Sequence, residues 1–246
     1  MKKLQISAIA FAMTSIAAGS AMAQSTKTNA WEGFYGQVGV GYGTVTPSLN
    51  SGTATVPGFP VTANTSATNV NNLNTAVANI AAGYNFAIDS TWLVGLGVSY
   101  DPSGSSGATG QLNINAPVNA ALGPYSGRTL ASTVATYQMK NVYSVTVNPG
   151  YAIDKDKLAY MMLGYTGATV GLSSPVIPYN TINLTGYTVG LGYKQMVTQS
   201  VYLLGEAKYA SYGQKTASVT STNGVAITQP LSANGAEFLI GVGYRF

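Results

Sequence analysis

Histidine and cysteine are both missing from this 246-residue chain, and charged residues make up only 7% of it. Without cysteine there is no disulfide framework, no thiolate metal site and no lipidated cysteine anchor. Without histidine the commonest general base and the commonest metal ligand are gone. Hydrolases and acyl transferases built on Ser-His chemistry go with them. An average soluble domain carries about 25% charged residues, so this chain cannot solvate an ordinary water-facing surface. Long apolar runs are lacking too. Mean hydropathy is only +0.17, and the charge-free stretch 158–193 is interrupted by glycines, Pro175, Pro178, Asn180 and Asn183. No uniform run of about 20 apolar residues is left to form a membrane helix.

What is present is 46% hydrophobic and 10% aromatic residues, with 29 glycines and 17 tyrosines. That composition opposes disorder. It fits a membrane β-barrel, in which half the strand residues face lipid and the rest need only be small or polar. The formal charge is +4. Lys2 and Lys3 belong to a segment expected to be removed, leaving a weak and scattered +2 that gives no basis for nucleic-acid binding.

That segment reads as a secretory signal, residues 1–23. Met1-Lys2-Lys3 is a positive start, residues 4–18 are mostly apolar, and Ala21-Met22-Ala23 supplies a small-x-small cleavage pattern. A polar leader, 24–30, follows. The remainder, 31–246, is expected to be the barrel.

Within it, side chains alternate with period two, as successive strand residues point to opposite faces. Ala236, Phe238, Ile240, Val242, Tyr244 and Phe246 make one apolar face of the last segment, opposite Gly235, Glu237, Leu239, Gly241, Gly243 and Arg245. Six earlier segments repeat the pattern. A seventh, 158–172, alternates too poorly for its faces to be assigned. The sum is an all-β, eight-stranded antiparallel up-and-down transmembrane β-barrel. Three short connections alternate with long ones at about 47–72, 101–131, 173–182 and 214–233, as in outer-membrane barrels with short periplasmic turns and longer external loops. Extra strands within the two longest loops would make the barrel taller or raise the strand count to ten. A soluble β-sandwich would need a polar outward face. Here the non-apolar face is mostly Gly, Ser, Thr and Asn, and the aromatics gather on the other.

Tyr42, Tyr84, Trp92, Tyr100, Tyr151, Tyr193, Tyr209 and Tyr244 fall near strand ends on the apolar face, where an aromatic girdle meets the lipid–water boundary. Glu206, Lys208, Glu237 and Arg245 all fall on the opposite face. A Lys or Arg facing mid-membrane lipid costs roughly 2 to 4 kcal/mol, so these charges fix the inward side. With Val201 set opposite Phe246, Lys208 and Glu237 become diagonal neighbours able to pair, in a network that extends toward Lys194. Asp89, Asp101, Asp154 and Asp156 read as turn or loop residues. No catalytic group, cofactor site or metal constellation emerges.

Trp31-Glu32-Gly33-Phe34-Tyr35-Gly36 with Gly39 and Gly41-Tyr42 resembles the opening strand of OmpX/OmpA-type outer-membrane β-barrels. Asn148-Pro149-Gly150-Tyr151 is similar to their central hairpin, and residues 186–213, with Glu206 and Tyr209, to their sixth and seventh strands. The ending, with Val242, Tyr244 and Phe246, resembles the terminal strand that the outer-membrane assembly machinery recognises. No periplasmic domain follows the barrel, so peptidoglycan attachment is not implied. The resemblance implies a monomeric barrel of the Gram-negative outer membrane, contacting membrane lipid and, during insertion, the assembly machinery. Its expected role is structural or surface-interacting, in envelope integrity or adhesion, with an unidentified external ligand. The alternatives are a narrow porin-like channel for ions or small solutes and, more remotely, a membrane-embedded enzyme.

Overall fold

The computed structural model describes residues 28–246. The signal segment and the start of the leader lie outside the described residues. Among these no helix is long and apolar enough to cross a membrane; the crossing elements are strands.

Among the described residues eleven strands form one sheet: β1 (Gly33–Leu49), β2 (Gly52–Thr55), β3 (Ala63–Thr68), β4 (Leu73–Ala87), β5 (Trp92–Asp101), β6 (Ala108–Asn115), β7 (Thr129–Asp154), β8 (Lys157–Ser173), β9 (Asn180–Met196), β10 (Val201–Thr220) and β11 (Ala226–Arg245). Eight of them close a ring in the order β1-β4-β5-β7-β8-β9-β10-β11, all antiparallel. The closing pair, β1 with β11, runs uninterrupted from Tyr35↔Arg245 to Leu49↔Leu231. The eight-stranded ring expected from the alternation is therefore present, with three more strands in the segments read as loops.

Local chemistry sets the short turns. Asp89 accepts from the backbone N–H groups of Thr91 and Trp92 at 2.7 Å each, and these bonds, that of Trp92 foremost, hold its carboxyl below the usual carboxylate range. Asp154 caps the next turn through the N–H of Asp156. Thr198 Oγ1 accepts from the N–H of Val201 in the third.

The long segments depart from the expected loops. β1, β4 and β5 stop, and β2, β3 and β6 take their places, pairing in the order β11-β2-β3-β6-β7. β7, at 26 residues, and the long β10 and β11 run through both levels. The result is a second storey stacked on the first. The connections left between these strands are 50–51, 56–62, 69–72, 102–107, 116–128, 174–179 and 221–225.

The two storeys have opposite polarity. In the lower one Val38, Val40, Leu96, Val98, Val145, Leu191, Phe238 and Ile240 are exposed on the outer face. In the upper one the outer face is a polar side-chain ladder across β3, β6 and β7. Asn113 Nδ2 donates to Thr68 Oγ1 (3.1 Å), Ser132 Oγ to Asn113 Oδ1 (2.8 Å) and Asn115 Nδ2 to Ser66 Oγ (2.9 Å). Its inner face buries Ala54, Ala63, Leu112, Ile114, Ile177 and Ile227 against one another. Lipid outside the lower storey demands apolar side chains; water outside the upper one reverses the demand.

The faces of β8 also become clear. Met161, Leu163 and Tyr165 point outward, while Leu158, Tyr160 and Met162 are buried inside. Both faces are apolar there, so alternation carried no contrast.

One strand offers a test of the two storeys. Ile240, 69% exposed on lower β11, replaced by Arg is expected to lower unfolding free energy in lipid vesicles by about 2 to 4 kcal/mol. Thr228→Arg, outward on upper β11, is expected to stay within about 0.5 kcal/mol. Equal losses in denaturant titrations would contradict the two-storey placement.

Candidate functional site

The lower lumen is the place where polar groups converge, and it is filled in layers. At the rim carrying both ends of the barrel, Trp31 folds under β1 and is only 1% exposed. Asn29 positions it: its Oδ1 accepts from the Trp31 N–H (2.9 Å), and its Nδ2 donates to the Asp89 carbonyl (3.3 Å). Asn85 Nδ2 donates to the Trp31 carbonyl (3.0 Å). The indole meets Tyr202 edge-on at 5.8 Å and packs with Leu93, Leu158, Tyr160, Met162 and Leu204. The end of the expected polar leader is thus part of a plug.

Above the plug sits a cation in an aromatic cage. Lys194, 4% exposed, places Nζ 4.0 Å from the ring centre of Tyr35 and 4.9 Å from those of Tyr160 and Tyr202. Ring faces are negative, so three of them stabilise a desolvated ammonium. Glu206 lies alongside. Its Oε1 accepts from Gln37 Nε2 (2.8 Å) and from the Tyr160 hydroxyl (2.6 Å), and the Tyr202 hydroxyl donates to Gln37 Oε1 (3.1 Å). Glu206, Gln37, Tyr160 and Tyr202 are thus each held by a neighbour on another strand, as burial requires.

Two inward glycines make this layer possible. A Cβ on Gly192 would collide with the Tyr160 ring, and one on Gly243 with the Tyr202 ring. An eight-stranded lumen is just wide enough for side chains, so large rings on one strand need bare backbone opposite.

The next layer holds the Lys208–Glu237 ion pair, 2.7 Å apart. The register corrects the expected geometry. Val201 lies opposite Tyr244, so Lys208 and Glu237 are directly cross-strand, not diagonal. Asp101 is also corrected: it ends β5 facing inward, 5% exposed, and accepts from Asn79 Nδ2 (3.1 Å). The free spaces in these layers are about 30 Å³ beside Glu206 and about 80 Å³ beside Lys208, room for water but not for an organic substrate.

Of the four charges expected inside, Glu206, Lys208 and Glu237 line the lumen in two separate layers. Arg245 stands apart at the rim, where its Nη2 donates to the Gln199 carbonyl (2.8 Å) and ties the last strand to the β9–β10 turn. Lys194 joins Glu206's layer through the aromatic cage. Tyr42, Trp92, Tyr100, Tyr151, Tyr193, Tyr209 and Tyr244 are exposed on the outer face. Tyr84 is half-buried there between Phe34 and Phe86, whose ring centres are 4.7 and 4.6 Å away. Val242 and Tyr244 lie outward, with Tyr244 edge-on to Phe246 at 5.0 Å. Sequence reasoning missed Tyr143, Tyr165 and Tyr187, exposed at the upper limit of the apolar band. Tyr35, Gln37 and Tyr202 have the parity of the inward residues and were legible as inward, but not as members of a network, and Tyr160 lies on 158–172, whose faces could not be assigned. Among the described residues no three acidic groups stand together to hold a metal.

A closed antiparallel ring, apolar outside and plugged by polar and aromatic side chains, defines a transmembrane β-barrel. The outer membrane protein beta-barrel domain family matches residues 9–246, and the chain belongs to it. It is therefore an outer-membrane β-barrel. Solved structures similar to it include OprG from Pseudomonas aeruginosa, at 16% identity over 87% of this chain and 96% of that one (TM-score 0.46). The attachment invasion locus protein Ail of Yersinia pestis matches at 14% identity over 87% and 99% (TM-score 0.44). The outer membrane protease OmpT from Escherichia coli matches at 10% over 88% and 97% (TM-score 0.45). No curated protein matches the chain.

Removing one partner of a buried ion pair strands the other charge. Lys208→Met or Glu237→Leu alone is expected to cost about 3 kcal/mol in vesicle unfolding titrations, and the double variant is expected to recover most of it. Additive losses would show that the two side chains do not act as a pair.

Proposed function

We propose that this is a monomeric, non-conducting surface protein whose barrel carries an ordered β-platform beyond the outer membrane. The observation behind this reading is the second storey: segments 47–72 and 101–131 are built into paired strands with a polar outer ladder. A surface ordered in this way presents a fixed pattern of Thr, Ser, Asn and Gln to the exterior. Its role is interaction at the cell surface, adhesion included, with support of the envelope. The chain reaches its place by export with cleavage after Ala23, lipid contact through the tyrosine girdle, and recognition of Val242, Tyr244 and Phe246 by the assembly machinery. The porin-like alternative needs a continuous wet path. The Trp31 plug and the Lys194 cage oppose one.

The mature chain, residues 24–246, refolded and added to planar bilayers, is expected to be silent. Tyr35→Ala, Tyr160→Ala and Tyr202→Ala together are expected to produce conductance steps. Reproducible steps from the unmutated, folded barrel would move the protein to the channel class. Replacing 52–68 and 108–128 by short turns is expected to leave a heat-modifiable barrel while abolishing attachment by cells that express it.

A further inference from the structure

The upper ring has one unpaired seam. β9 and β10 pair from Tyr202↔Met196 up to Tyr212↔Gly186 and no further. Above that level β9 stays paired to β8 as far as Leu172↔Asn180. After a bulge between Tyr212 and Lys215, β10 stays paired to β11 as far as Thr220↔Ala226. Two strand edges thus face each other without a ladder. The gap is closed above, where the Thr222 N–H donates to the Val176 carbonyl (2.9 Å). It is a window in the barrel wall.

Behind the window lies a cavity of about 200 Å³. Its back wall is apolar, with Leu73, Met139, Val170, Leu184 and Leu231. Asn180, Thr181, Thr216 and Ser218 stand at the mouth. A smaller space of about 40 Å³ shares Leu49, Tyr137, Leu172 and Val219 with it and extends toward Ile177 and Ile227. Apolar cavities on the order of 150 Å³ stay dry and take up hydrocarbon.

The place of the window says where its occupant comes from. Tyr187, next to Gly186 on β9, and Tyr209 on β10 are exposed just below it, at the upper limit of the lipid-facing band. The opening therefore continues the lipid interface. Lys215, exposed on the β10 edge, is the only charged residue in 174–185 and 213–225.

We propose that the upper storey binds a fatty-acid-class amphiphile drawn from the outer leaflet: the alkyl chain passes sideways between β9 and β10 into the cavity, and the carboxylate stays at the mouth beside Lys215. This rests on the outer-membrane fold and not on the surface-platform reading. The cavity has the wrong walls for a sugar or a peptide, and Lys215, next in sequence to Thr216 at the mouth, matches a single anionic headgroup.

The mature chain has four methionines, and they report from distinct places. Met139 lines the cavity, Met161 faces lipid, Met162 sits in the plug and Met196 packs against it. The chain with 13C-labelled methionine methyls, reconstituted in phosphatidylcholine nanodiscs, is titrated with decanoate. A saturable shift of the Met139 methyl is expected, with Met162 and Met196 unmoved. Lys215→Gln is expected to weaken binding about two- to fivefold, and Ala233→Phe, which fills the cavity, to abolish the Met139 shift. Decane is expected to shift Met139 with no dependence on Lys215. Met161 moving while Met139 does not would mean partition into lipid alone and overturn the site. Unchanged decanoate affinity in Lys215→Gln would overturn the headgroup contact.

Discussion

Inside a bilayer no water is available to a peptide group, so every N–H and C=O must find a partner within the protein. For a chain of strands this means the first must bond to the last. The continuous β1–β11 ladder meets that demand, and much else follows from it. Eight strands in a closed ring set a narrow diameter, and a narrow ring has a lumen of side-chain width. Large rings such as Tyr160 and Tyr202 fit there because Gly192 and Gly243 leave backbone bare across from them. The aromatic cage then makes room for a cation that would otherwise be too poorly solvated to bury. Closure, lumen width, glycine placement and the Lys194 site are successive consequences of one hydrogen-bonding constraint.

The constraint relaxes where the strands leave the membrane. Water can satisfy a strand edge, so the upper ring tolerates the open seam between β9 and β10 that the lower ring could not. It tolerates a change of membership as well, with β2, β3 and β6 standing in for β1, β4 and β5. What it cannot tolerate is the same outer face. The Thr, Ser, Asn and Gln ladder outside and the Ile and Leu cluster inside are the lower storey's pattern turned around.

Much of the lower storey was legible because lipid imposes a simple rule on alternate residues. Ile240 against Gly241, or Val98 against Gly97, leaves no doubt about which faces outward. The rule was silent on β8, where Tyr160 and Met162 inside are as apolar as Met161 and Leu163 outside. It also misread the upper strands as loops. Segments such as Ala-Thr-Gly-Gln-Leu-Asn-Ile-Asn of β6 alternate too, but with Thr, Gln and Asn outward, a pattern that any polar loop also shows. The lumen charges were legible as inward, but their pairing depended on register. A two-residue difference in where β10 meets β11 turned a diagonal pair into a direct one. Asp101 had a turn residue's identity and a core residue's place, because β5 ends inside the ring.

The reversal of polarity has a mechanical meaning. On β11 the outward side chains pass from Thr228 and Asn234 to Phe238 and Ile240 without a change of parity, so the strand carries its own waterline. Sliding the barrel inward would drag the hydroxyl and amide ladder into hydrocarbon; sliding it outward would bare the apolar band to water. The protein therefore floats at one draught. In a bilayer of another thickness it is the lipid that must stretch or thin around it, at fractions of a kcal/mol for each ångström.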